Sequence, residues 1–159
     1  TLLVTSISHT INPSIRKNLP FDAVRDFAPV TLITDAPNFL VVHTSLPART
    51  VKELIALARA RPGEITYASS GAGTSTHLSG ELFKSMARVD MLHVPYKGGG
   101  PAVIDLVGGH VQMMFSTLPS VLEQVRAGKL RGLAVTGARR FPAAREFPTM
   151  IEAGIPPHP

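Results

Sequence analysis

The chain has 159 residues, 44% of them hydrophobic and 17% charged, which is enough apolar surface for one ordinary core and too much for a disordered tail. It contains no cysteine, which excludes disulfides, thiolate nucleophiles and cysteine-held zinc. A net charge of +5 favours anionic partners, but 6% aromatics, no tryptophan and scattered basic residues offer no base-stacking platform, so a small anion fits better than nucleic acid.

In chain order, Thr1 to Ile7 reads as a strand running into a polar loop at Ser8, His9 and Thr10. No basic stretch followed by an apolar run opens the chain, so no leader is read there, and a start at Thr1 in strand-like sequence suggests residues upstream. Pro13 and Pro20 predict an irregular stretch, followed by strands at Val30 to Ile33 and Phe39 to His43. Thr50 and Glu53 form a capping box for a helix whose apolar stripe is Val51, Leu54, Ile55 and Ala58, ended by Pro62-Gly63. Ile65 to Ala68 is a strand, and Thr76 to Met86 a helix with Leu78, Leu82 and Met86 on one face. Met91 to Val94 and Val111 to Phe115 are strands around a short helix, Pro101 to Leu106, closed by Gly108-Gly109. Pro119 opens a helix carrying Leu122 and Val125 and ending at Gly128, and Leu130 to Thr136 is the next strand. Thr149 and Glu152 make a second capping box, with Gly154 as the stop. Strands alternating with helices predict βαβ units and a largely parallel sheet. The longest apolar runs, Phe39 to Val42 and Val111 to Phe115, are too short to span a bilayer.

Three loops leave strands for helices, the edge at which α/β sheets hold ligands. In the first, Ser69, Ser70, Thr74, Ser75 and Thr76 offer hydroxyls, while Gly71, Ala72 and Gly73 bring the backbone close. The free N–H groups and positive dipole end of the following helix complete a cradle for an anion. No acid, lysine or arginine lies between Tyr67 and Leu78. The same stretch also reads as an ordinary strand–helix turn whose hydroxyls cap the helix. The second loop runs from His93 to Pro101, with Tyr96 and Lys97 as polar lips or as solvated side chains, and the third carries Ser116 and Thr117.

Neither the phosphate-binding nor the dinucleotide glycine pattern is present, so no cofactor is expected. His9, His43, His77, His93, His110 and His158 lack metal-pair spacing and read as structural. His77 lies one turn into its helix, where the dipole disfavours protonation, and a packing or supporting role is expected of it. Glu53, Glu81, Asp105 and Glu123 fall on helices, where solvated faces explain them, and nothing pairs two carboxylates for acid–base work. Many neutral donors and no catalytic group make this a binder rather than an enzyme.

Several segments together carry a family resemblance. They include Leu19-Pro-Phe-Asp22, Asp26-Phe-Ala-Pro-Val30, Ser45-Leu-Pro-Ala48, Thr50-Val-Lys-Glu-Leu54 and Tyr67 through Leu78. Others are Glu81-Leu-Phe-Lys-Ser-Met86, His93-Val-Pro-Tyr-Lys-Gly98, Gly108-Gly-His-Val-Gln112, Gly128-Lys-Leu-Arg131 and Phe147 through Gly154. The chain resembles the tripartite tricarboxylate transporter receptors, also called Bug receptors, which are extracytoplasmic solute-binding proteins. The resemblance implies a periplasmic-binding-protein type II-like α/β fold, two lobes joined by hinge strands, with the first lobe incomplete here. Residues 1–44 would be a remnant of lobe 1 with the first hinge strand, 45–137 lobe 2 with the second, and 138–159 the return toward lobe 1. It further implies a periplasmic location, a small carboxylate ligand and membrane transporter subunits as partners. Ser70, Gly71, Ala72, Gly73, Thr74 and Ser75 would bind the ligand, with Ser6, Ser8 and His9 as cleft residues of the first lobe and Tyr96 and Ser116 beside them. Some members carry an acid where Ser116 stands, which disfavours an amino-acid ligand and favours a simple carboxylate. A regulatory or ligand-sensing module of the same fold is the alternative, and an anion-dependent transferase a more distant one.

Overall fold

The apolar run after Pro37 forms a strand buried on both faces, Asn38–His43 (β1), with Phe39, Leu40, Val41 and Val42 all fully buried. In the computed structural model, which describes residues 1–34 and 36–155, β1 is flanked by Met113–Thr117 (β4) and Leu130–Val135 (β5) and runs antiparallel to both. Thr66–Ser69 (β2) runs parallel to β4 and to Leu92–Pro95 (β3), giving the sheet order β3-β2-β4-β1-β5.

The sheet is therefore mixed: β2, β3, β4 and β5 run in one direction, and the largely parallel expectation is corrected only at β1, which opposes them. Alternating strands and helices do not reveal whether a connecting helix returns the chain to its starting edge. Here the link between β1 and β2, which contains Val51–Ala60 (α2), begins and ends at the same edge, so β1 opposes its neighbours.

Alternation along β1 splits the core. Leu40 and Val42 pack with Val51, Leu54 and Ala58 of α2 and with Phe83 and Ala87 of Ser75–Ala87 (α3). Phe39 and Val41 face Ala102 and Leu106 of Gly99–Val107 (α4) and Val121 and Leu122 of Leu118–Arg126 (α5). Helices on both faces explain why β1 is continuously apolar rather than alternating.

The N-terminal segment departs from expectation. Thr1 to Ile7 and Val30 to Ile33 form no strands, because among the described residues no neighbouring strand pairs with them. Ser8–Ile15 (α1) is a helix although it contains Pro13. In so short a helix the proline removes one backbone hydrogen bond, near its end. Thr149 and Glu152 form their reciprocal hydrogen bonds, at 2.8 and 3.1 Å, yet close a single turn rather than a helix, and Gly154 at φ +96° ends it. His158 and the end of the return segment, 156–159, lie outside the described residues. No helix of the described residues is long and apolar enough to cross a membrane.

Candidate functional site

β5 shares the direction of β4 because both oppose β1, so the carboxyl ends of β2, β3, β4 and β5 share one edge. Residues 70–74 cross that edge from β2 to α3. Gly71 at φ +135° and Gly73 at φ +77° occupy backbone conformations that side chains rarely adopt. A Cβ at Gly71 would stand 3.3 Å from the Tyr96 carbonyl, and one at Gly73 would collide with Ile15 of α1.

Much of the loop's polar capacity is spent on its own shape. The Thr74 hydroxyl donates to the Gly71 carbonyl at 2.7 Å and accepts the His77 N–H, making Thr74 the N-cap of α3. The Ser70 N–H donates to the Thr76 hydroxyl at 3.0 Å. Gly71 donates to Ser69 Oγ and Gly73 to His77 Nδ1, each at 3.2 Å. Among the described residues, the N–H groups of Ala72, Ser75 and Thr76 and the Ser75 hydroxyl have no protein acceptor. These groups sit at the positive end of a 13-residue helix, with no charged side chain between Tyr67 and Leu78.

The second loop adjoins the first through its backbone. Tyr96 donates its N–H to the Ser69 carbonyl at 3.0 Å and Gly98 donates to that of Ser70 at 3.1 Å. The Tyr96 hydroxyl, however, donates to Asp105 of α4 at 2.7 Å rather than standing as a lip of the cradle. Burial, then the Asp105 carboxylate, pushes Tyr96 up to about 12. Asp105 is thus a specific acceptor rather than part of a solvated helix face. Ser116 is buried within β4, opposite Phe39 in the register and two residues beyond the Met114 that pairs with Ala68 of β2.

Ser6, Ser8 and His9 are held by contacts within their own segment. Ser8 donates its N–H to Ser6 Oγ, while the His9 ring stacks on Phe21, meets Phe27 edge-on and donates through Nε2 to the Ala23 carbonyl at 3.0 Å. Where α1 meets the loop, the contacting residue is Ile15.

Beneath the loop lies a cluster that sequence reasoning left dispersed. The Tyr67 hydroxyl donates to Glu81, which also accepts from Lys84 at 3.2 Å. Burial, then Glu81, pushes the Tyr67 hydroxyl well above its ordinary range. Burial alone would raise Glu81, but the Tyr67 hydroxyl and Lys84 outweigh it and hold the carboxyl below its usual value. The His93 ring stacks on Tyr67 at 4.8 Å and on His77 at 4.2 Å, with its Nε2 2.7 Å from Ser69 Oγ. The parallel register sets Tyr67 beside His93, and alternation puts Ser69 on the same face, a signal available only once β2 and β3 are known to pair. Among the described residues no group of three metal-ligating side chains converges.

The sequence matches the family described as tripartite tricarboxylate transporter family receptor over residues 1–157. Protein BugT of Bordetella pertussis is 39% identical over 158 residues, an alignment covering 98% of this chain and 48% of BugT. The solved structure of R. palustris Rpa4515 with adipate superposes with a TM-score of 0.90 at 41% identity, covering 96% of this chain and 51% of that one. MatC of Rhodopseudomonas palustris with bound malate gives a TM-score of 0.85 at 28% identity, covering 93% and 50%. The chain spans about half the length of the curated relatives it matches.

Proposed function

Because the chain belongs to the tripartite tricarboxylate transporter family of receptors, we propose that it captures a small carboxylate in the periplasm and hands it, chemically unchanged, to membrane transporter subunits. The observation that carries this reading is the β2–α3 loop, where uncommitted N–H groups and a hydroxyl meet a helix N-terminus and no charged side chain stands in the sequence between Tyr67 and Leu78. Such a site holds a carboxylate by neutral donors and dipole. Solved relatives with adipate and malate support the ligand class. Ground-state binding alone accelerates nothing, and the hydroxyl that lies beside an imidazole, that of Ser69 at 2.7 Å from His93 Nε2, is fully buried and accepts the Gly71 N–H, which supports a receptor rather than an enzyme.

In the same reading 45–137 is the second lobe and β1 and β5 are the hinge strands. Their direct antiparallel pairing, from Phe39–Val135 to His43–Leu130, suits two connections that cross between lobes side by side. Residues 1–33 expose Leu2, Val4, Val24, Val30, Leu32 and Ile33, the apolar surface expected of a partial lobe.

The test is calorimetric titration with adipate, malate and the uncharged diol of adipate's length, followed by recovery of the bound compound. Saturable binding of a dicarboxylate but not of the diol, with the acid recovered intact, is expected. Conversion that scales with protein concentration, or equal binding of the diol, overturns the reading.

A further inference from the structure

We propose that His77 and His93 are positioning residues of the receptor loop, which together hold Gly71 and Gly73 in the shape that receives a carboxylate, and that the hold lasts only while His77 is neutral. This inference rests on the carboxylate reading of the loop. His77 accepts the Gly73 N–H at Nδ1, 3.2 Å away, so its proton resides on Nε2. His93 lies 2.7 Å from Ser69 Oγ, and that oxygen accepts the Gly71 N–H. Both glycines of the loop, each at positive φ, are thereby tied to imidazoles stacked 4.2 Å apart.

An imidazolium carries N–H on both nitrogens. Protonating His77 would set one donor against the Gly73 donor, and the tie would turn from attraction to repulsion. The groups facing the pair are Tyr67 on β2, Glu81 and Lys84 on α3, and the apolar Ile15 of α1 above Gly73. Glu81 is the one anion among them, and it is already engaged by the Tyr67 hydroxyl and Lys84. Burial first, then the neighbouring His77, keeps the His93 pKa below its ordinary value, consistent with a stack that resists a second charge.

The two possible roles of His77 predict opposite trends. A histidine touching the bound anion would strengthen binding when protonated, whereas a positioning histidine weakens it. With adipate as the probe, the dissociation constant should rise by up to about tenfold per pH unit below the His77 midpoint, the linkage of a single proton. His77→Asn, which keeps an acceptor but cannot titrate, should retain more affinity than His77→Phe and lose the pH dependence. In labelled protein without ligand, the Gly73 amide resonance should move with the same midpoint as the His77 ring. Affinity that is flat or rising from about pH 8 to about pH 5, or a Gly73 amide indifferent to His77, overturns the proposal and leaves the receptor reading intact. If adipate binds at no pH while the Gly73 amide still follows His77, the carboxylate reading fails for that probe and the positioning pair stands.

Discussion

Thr74 and Ser75 are chemically alike and adjacent, yet the structure separates their roles. The Thr74 hydroxyl gives its proton to the Gly71 carbonyl and receives the His77 N–H, so it has no donor left for a ligand. Ser75, at the first position of α3, keeps its hydroxyl without a partner among the described residues. Ser75→Ala should weaken dicarboxylate binding by about 1–3 kcal/mol, the loss of one bond to a charged acceptor, with little change in melting temperature. Thr74→Val should lower stability by about 1 kcal/mol through the lost cap, and it should weaken binding through the loosened loop. Paired calorimetric titrations and thermal melts check both, and a stability loss confined to Ser75→Ala would reverse the assignment. That hydroxyls matter here is legible in Ser69 to Thr76, but which hydroxyl is already satisfied depends on Gly71 folding back toward Thr74.

At the scale of single elements, α3 shows where periodicity misleads. Leu78, Leu82 and Met86 make the evident stripe, but the buried face is Thr76, Gly80, Phe83 and Ala87. The reason is Gly80, where a Cβ would overlap the Tyr67 ring. A ring settled on a bare backbone draws the helix toward β2 and turns Leu82 outward, where it is 43% exposed. Leu82 and Met86 then line an open apolar groove of about 310 Å³ with Met150, Ile151 and Ile155. Gly80→Ala should cost about 1–3 kcal/mol by overpacking, despite alanine's better helix propensity, and a denaturant midpoint that rises instead would disprove this packing. The Thr50 cap that starts α2 is a case where local sequence suffices. Thr50 accepts the Glu53 N–H at 3.1 Å, although Glu53 reaches the Arg49 N–H at 2.6 Å rather than that of Thr50 itself.

For the whole molecule, the core and the candidate site both lie after the N-terminal segment. Among the described residues, every buried hydrophobic one lies between Phe39 and Ile155, and those before β1 add none. A chain trimmed to residues 38–155 should unfold cooperatively, with a melting temperature within about 5 °C of the parent. It should also bind less of a hydrophobic dye, because Leu2, Val24, Val30 and Leu32, each at least 79% exposed, are removed. Loss of the cooperative transition on trimming would show that the N-terminal segment supports the core. Acid should weaken the fold as well. His93, neutral in the fold with a pKa below 6.5, makes stability fall as pH drops from 6.5 toward its lowered value, because the unfolded chain takes up the proton first.

The sequence by itself determined the elements from Phe39 to Val135 and the glycine-bearing loop before α3, because caps, turn glycines and apolar periodicity act among residues a few positions apart, and the family was legible through the resemblance of its segments. Only the tertiary structure decided the direction of β1, the buried face of α3, the attachment of Gly71 and Gly73 to two stacked histidines, and the pairing of Tyr67 with Glu81. Each of these depends on a partner brought close by strand order. Tyr67 and His93 meet because β2 and β3 share a register, and Gly80 acts as a recess only once the Tyr67 ring lies against it. The segments Thr1 to Ile7 and Val30 to Ile33, which form no strands, follow the same physics, since β-branched sequence favours a strand but only a neighbouring strand completes its hydrogen bonds.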